Sequence, residues 1–228
     1  MAKHGKKLSA VKEKLEKRIY DFDEAIDFLK QNAVGSFDET AEMAIRLGVD
    51  PRKSDQSVRG TVSLPHGSGR DVRVLVVAAG AAADAAREAG ADMVGNEDMI
   101  EKIKGGWTDF DVLIATPETM KEVRKLGRVL GPRGLMPNPR TGTVTDEPAK
   151  AVEESKAGRV EFRMDRNGNV HVPFGKLSFD KEKLVENGQA AIAAVRAEKP
   201  AAARGAYICR CSVSSTMGVG IQVGVRDE

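Results

Sequence analysis

Val72-Arg-Val-Leu-Val-Val-Ala-Ala-Gly-Ala-Ala-Ala-Asp-Ala-Ala-Arg-Glu-Ala-Gly90 is the stretch whose reading decides the fold. Val72–Ala79 is apolar except at Arg73, with no polar alternation, as in a strand buried on both faces of a parallel sheet. Ala81–Ala89 is alanine-rich and favours a helix, which Gly90 stops. Working outward, a short apolar piece (Asp92–Gly95), a helix (Glu97–Lys104), a strand (Val112–Ala115) and a helix after Pro117 follow. Thr145-Asp-Glu-Pro148 reads as another helix start, with a hydroxyl at the cap and acids in the first turn. This βαβαβα alternation predicts a doubly wound α/β domain.

One segment interrupts the alternation. Gly127–Gly142 holds four Gly, three Pro and three Arg and no acid. Such a composition excludes a continuous helix or central strand, and a loop this long inside a regular domain is usually functional. Its positive charge and exposed backbone suit phosphate oxygens, although a Pro-stiffened, solvated connector has the same composition.

The flanks read differently. Helices are expected near Ala10–Ile19 and Glu24–Asn32, then a strand with apolar Ala41, Met43, Ile45 and Leu47, and a second with Val58, Val62 and Leu64. Val160–Asp165 and Val170–Phe174, joined through Arg166-Asn-Gly-Asn169, suggest a hairpin. A long helix over Asp180–Glu198 precedes two last strands, Ala206–Val213 and Val219–Val225. The alternating strands bury one face only and need a cover, and neither flank alone carries a complete core. The expected architecture is therefore α/β: an α+β domain of split β-α-β type from residues 1–67 and 160–228, with a Rossmann-like three-layer domain (68–159) inserted. The two glycine-bearing crossings, Pro65–Arg70 and Ala157–Arg159, suggest a hinge.

The net charge of +2 conceals an uneven distribution. Residues 1–18 carry seven Lys/Arg against Glu13 and Glu16; residues 68–159 hold 14 basic and 15 acidic side chains, the remainder 22 and 19. Basic patches of this kind are mild support for nucleic acid, and a solvated basic tail explains the first of them equally well. No stretch approaches the roughly 20 apolar residues of a membrane span. The N-terminus lacks the apolar core of a secretory signal. Cys209 and Cys211 alternate in a strand and are expected to point the same way, which does not favour a disulfide. A reducing cytoplasm is the simplest compartment.

Enzyme signatures are missing. Gly80-Ala-Ala-Ala-Asp84 lacks the dinucleotide turn, no Walker loop occurs, and Gly218-Val-Gly220 has its third glycine, Gly224, one residue late. His4, His66 and His171 lie in unrelated segments, and Asp109 and Asp111 read as a solvated approach to a strand. No cofactor and no metal are expected. Aromatics make up only 4% of the chain, so stacking of bases across a sheet is not expected. A loop of small polar groups is the alternative, and Ser214-Ser-Thr-Met-Gly218 fits it: hydroxyls donate and accept, Met217 is pliable, and Gly218 permits close approach. A nucleotide-dependent enzyme and a protein-interaction module remain the rival readings from the residues alone.

Taken together, several segments resemble one family. Lys3-His-Gly-Lys6, Phe37-Asp-Glu-Thr40, Gly48–Gln56, Val58–Gly67, the Gly127–Gly142 loop, Gly158–Arg163 and Ser215-Thr-Met-Gly218 occur in the order found in bacterial large-subunit ribosomal protein L-one, the stalk protein beside the tRNA exit site. The resemblance implies the two-domain split above and a structural, non-enzymatic role. It also implies binding to large-subunit (23S-type) rRNA at the mobile stalk, contact with exit-site tRNA during its movement and release, and repression of its own operon mRNA. The implied partners are these RNAs, for a monomer within the cytoplasmic ribosome, with no membrane. Carried over by position, the rRNA- and mRNA-binding residues are Phe37, Thr40, Arg163, Asp165, Arg166, Ser215, Thr216, Met217 and Gly218. Gly131, Arg133 and Gly134 would make a secondary RNA contact. Arg166, Arg210 and Val219 depart from residues common in the family at those positions.

Overall fold

A computed structural model describes residues 5–225. Lys3 and His4 of the opening motif lie outside the described residues. In chain order the elements are α1 (Lys6–Lys14), α2 (Phe22–Gln31), β1 (Thr40–Leu47), β2 (Arg59–Ser63), β3 (Val74–Val77), α3 (Ala81–Glu88), β4 (Met93–Gly95), α4 (Glu97–Lys104), β5 (Val112–Ala115), α5 (Met120–Val123), α6 (Gly127–Leu130), α7 (Pro148–Lys156), β6 (Arg159–Arg163), β7 (Asn169–Lys176), α8 (Lys181–Ala197), β8 (Ile208–Ser215) and β9 (Ile221–Val223). The chain forms two compact units. One combines the residues up to Gly69 with those from Val160 onward; the other is Arg70–Arg159.

In the second unit β3 lies between β4 and β5, all parallel. Alternation along these buried strands sorts their side chains into two layers. Leu75, Val77, Leu113 and Ala115 pack with Ile103 of α4, Val123 and Leu130 on one face, while Val74, Val76, Ala78 and Ile114 pack with Ala83, Ala86, Ala151 and Val152 of α3 and α7 on the other. The result is the three-layer α/β arrangement that the apolar run required.

No helix or strand runs through the Gly127–Gly142 segment, as expected, whereas the start of the following helix needs correction. The Gly127–Gly142 segment contains a helical turn, α6, closed by Gly131 N–H donating to the Gly127 carbonyl at 2.9 Å. One turn needs no uninterrupted helix-forming run, and Leu130 is drawn inward by the apolar layer beneath it. Helix α7 begins at Pro148, not at Thr145. Proline is pre-organised for the first helical position, so the Thr145 hydroxyl instead accepts from the Glu147 N–H at 3.1 Å before the helix starts.

In the first unit β7, β1, β8 and β9 form an antiparallel sheet in that order. Ala41, Met43, Ile45 and Leu47 of β1 face the core, together with Val170, Val172, Phe174, Val213 and Ile221. Helices α2 and α8 cover this face, α2 through Ala25, Ile26 and Leu29, α8 through Leu184, Asn187, Gly188, Ala191 and Val195, a single stripe at helical spacing. The core draws on both flanks, as neither could close alone. Buried Asn187 accepts from His66 N–H and donates to the carbonyls of Gly67 and Phe174, tying the end of the first flank to the middle of α8.

Three further differences have physical causes. Helix α1 spans Lys6–Lys14 rather than reaching Ile19, because Tyr20 pairs with the last strand: its N–H donates to the Gln222 carbonyl at 2.9 Å and its carbonyl accepts from Gly224 at 3.0 Å. The 160–174 hairpin is only a tip. Met164 bridges Val170, after which β6 joins β2 in a separate two-stranded sheet and β7 joins β1. Cys209 and Cys211 do not point the same way. The pairing with β1 slips between Arg46 and Leu47, and the extra residue leaves Cys209 exposed while Ile208 and Cys211 both face the core.

Candidate nucleic-acid interface

Strand β1 starts at Thr40 and β8 ends at Ser215, and antiparallel pairing sets Ala41 opposite Ser215. The segment before β1 therefore meets the loop after β8. The Thr40 N–H donates to the Thr216 hydroxyl at 3.0 Å, and the Thr216 N–H donates to the Thr40 carbonyl at 3.1 Å. Lys176 on β7 donates to the Thr40 hydroxyl at 2.9 Å. Phe37 and Met217, 55% and 52% exposed, are two of the three large apolar side chains left in solvent among the described residues. Flexible apolar groups beside hydroxyls and a lysine can pack against ribose and base faces while the polar atoms meet 2′-hydroxyls and phosphates.

Glu39 holds this surface together. Its side chain is only 1% exposed. One carboxylate oxygen accepts from the N–H groups of Val34 (2.8 Å) and Gly35 (2.5 Å), and the other accepts from Met217 N–H at 3.0 Å. Burial works against the charged form. The neighbouring Ser215 hydroxyl and the N–H groups of Gly35, Met217 and Val34 outweigh it, and the carboxyl titrates below its ordinary value. The Ser215 hydroxyl is buried beside the carboxylate in a geometry short of a regular hydrogen bond, so the backbone donors are the firm contacts. Gly218 is required for space: a Cβ there would collide with the Ser215 hydroxyl.

The other site residues do not join this cluster. Asp165 and Arg166 lie in the turn before β7, whose Gly168 carbonyl accepts from Leu47 N–H at the opposite end of β1. Seven residues of strand separate the two groups, roughly 23 Å. Asp165 is occupied with the turn: its carboxylate accepts from Asn167 and Asn169 N–H, both at 2.8 Å, with Gly168 at φ 80° completing the bend. Those backbone donors, Asn169 foremost, hold its carboxyl below the ordinary range. Its role in the free protein is to shape the turn that presents Arg166. Arg163 and Arg166 are exposed, as is His171 on β7.

In the other unit, Gly131–Gly134 forms the exposed apex of the loop after α6, with Gly134 at φ 73° and the Arg133 guanidinium donating to the Thr108 hydroxyl. Asn138 fixes the rest of the loop: its N–H donates to the Thr143 hydroxyl and its side-chain oxygen accepts from Arg140 N–H. The crevice at the carboxyl ends of β3 and β4, where a nucleotide enzyme would bind phosphate, is lined by Asp84 and Asp98. Two carboxylates repel phosphate there, against the single Arg87.

Sequence reading missed Glu39 and Lys176. The usable signal for Glu39 was its place two residues after Phe37 and immediately before a strand with a strict inward alternation. Its backbone partners, however, come from positions five residues before it and 178 residues after it, which no local pattern shows.

A model described as the Ribosomal protein L1p/L10e family matches residues 29–219, which span β1 to β8 and the whole inserted unit.

Proposed function

Because the chain belongs to the ribosomal protein L1p/L10e family, we propose that it acts as a bacterial-type member holding the stalk helices of large-subunit rRNA. Family membership makes it a structural, rRNA-binding constituent of the large ribosomal subunit, not an enzyme. The finer reading concerns where and how it binds. Phe37, Thr40, Thr216, Met217 and Gly218 form the principal contact, with buried Ser215 supporting the loop from beneath. Arg163 and Arg166 extend it, Asp165 shaping the turn that presents Arg166. Gly131, Arg133 and Gly134 of the inserted domain add a secondary one. Recognition is by shape: the 215–218 loop enters a folded RNA closely, and flanking cations meet phosphates.

The observation that carries this reading is the Glu39 clamp, which rigidly joins two distant chain segments yet leaves Phe37 and Met217 in solvent. A fold that invests a buried carboxylate in displaying two apolar side chains is preparing a contact surface. The same surface would take exit-site tRNA as it moves and leaves, or a messenger segment of its own operon that imitates the ribosomal site. Binding of a stalk-helix transcript by the wild-type chain and by Thr216→Val and Met217→Asp tests the site. Both variants should bind far more weakly, and wild-type affinity in both would refute the assignment. Competition between stalk and leader-messenger transcripts for one chain tests repression.

A further inference from the structure

The open face of the four-stranded sheet holds a group that none of the assigned site residues includes. Arg46 of β1 stands directly opposite Arg210 of β8 on one side and Asn169 of β7 on the other. Side chains opposed across an antiparallel pair share a face, and both arginines are exposed. Among the described residues neither has a carboxylate within ion-pair distance. The nearest acid on this face of β1 is Glu42, four residues along the strand and roughly 13 Å away. Asp165, beyond Asn169, already accepts from Asn167 and Asn169.

Like charges directly opposed in a sheet destabilise it. The local backbone nevertheless aims Arg210 outward. Arg210 alternates with core-facing Cys211 and Val213 and lies opposite outward-facing Arg46, before the bulge at Cys209 returns Ile208 to the core. Two unpaired guanidinium forks side by side match the oxygens of a phosphodiester backbone, which an isolated ammonium would grip less specifically.

We propose that Arg46 and Arg210 form a second phosphate-binding site for the same RNA, at the end of β1 opposite the Thr40–Thr216 contact. The proposal rests on the rRNA-binding reading above. An RNA strand then runs along the open face for the length of β1, passing Ser214 and Glu42, then Ser212 and His171, before reaching the arginines. Glu42 turns the middle of the path toward groups that donate, such as 2′-hydroxyls, and away from phosphates. This path also accounts for Arg166 lying so far from Phe37: its turn leads through Asn169 directly to Arg46.

The test measures binding of the full chain to a transcript of the stalk helices between 50 and 200 mM salt. Arg46→Gln and Arg210→Gln should each lower the slope of log affinity against log salt by about 0.7–0.9. Together they should make the salt-induced loss of affinity roughly tenfold smaller than for wild type. Thermal melting of the double variant should match or exceed wild type, since it relieves repulsion. Lys183→Gln on α8, which packs against the other face of the sheet, should leave the slope unchanged. An unchanged slope in the double variant, while Met217→Asp loses binding, overturns this site and leaves the rRNA reading standing. An equal effect from Lys183→Gln also overturns it, as a general charge effect. A wild-type chain that fails to bind the transcript overturns both.

Discussion

Replacing Glu39 by glutamine should separate the clamp from everything else in the molecule. In the native chain one carboxylate oxygen takes two backbone N–H groups and the other takes one. Glutamine keeps one oxygen, which serves Val34 and Gly35, and turns its amide N–H2 against the Met217 N–H. One hydrogen bond to a charged acceptor is lost outright, about 1.5–3 kcal/mol, and the two that remain become neutral and weaker. The expected cost is about 3 kcal/mol, confined to the terminal unit. Trp107, the only tryptophan, packs in the inserted unit beside Phe110, so its fluorescence reports that unit alone. In urea, far-ultraviolet circular dichroism should show an earlier transition for Glu39→Gln while the Trp107 transition stays in place. Thr216 stays bonded to Thr40, so only the Met217 backbone must then be ordered on binding, and stalk-RNA affinity should fall about tenfold, the equivalent of fixing one backbone residue. The difference between wild type and variant also depends on pH. The native carboxyl titrates below its ordinary value of 4.5, so its stabilisation is fully present above that value and disappears as pH falls through the depressed one. The two proteins should therefore converge in stability well below pH 4.5. An unshifted dichroism transition at neutral pH, or a Trp107 transition that moves with it, would refute the clamp.

Two further outcomes follow from packing and burial. Gly188 in α8 lies against the Phe22 ring of α2, and a Cβ there would overlap that ring. Gly188→Ala should destabilise the terminal unit by about 1–2 kcal/mol, overpacking outweighing the gain in helix propensity, and a stabilised variant in urea titration would contradict the close approach. Burial pushes the Cys211 thiol up to about 12, while Cys209 is exposed on the bulge. A thiol reagent at pH 8 should label one cysteine per native chain and the second only after denaturation; two labels at equal rates would mean the bulge is absent.

The fold was legible where one physical demand dominated. The run Val72–Ala79 held a doubly buried strand, which is Val74–Val77, with Arg73 and Ala79 exposed at its ends, and Ala41, Met43, Ile45 and Leu47 all face one way. Both patterns set the layers observed. It was illegible where a distant partner overruled a local preference. The helical tendency of Leu15–Ile19 gave way to the pairing of Tyr20 with a strand some 200 residues later. The alternation of Cys209 and Cys211 failed because the register of β8 is set by β1, and a single inserted residue moves one side chain to the opposite face.

The site shows the same division more sharply. Single residues suited to RNA could be named from their chemistry and from resemblance, but their grouping is a property of register. Because β1 runs from Thr40 to Leu47, the residues before it and those after it are held about 23 Å apart, and the contacts assigned to the terminal unit fall at the two ends of the strand rather than in one place. A compact ligand could not touch both. An extended polyanion can, provided the face between them offers it hydrogen bonds and the far end offers it charge. Ser214 and Ser212 supply the first, and Arg210 with Arg46 of β1 supplies the second, the three β8 residues alternating in register with Glu42, Ala44 and Arg46. The period of two that hides apolar side chains on one face of the sheet thus lays a polar track on the other.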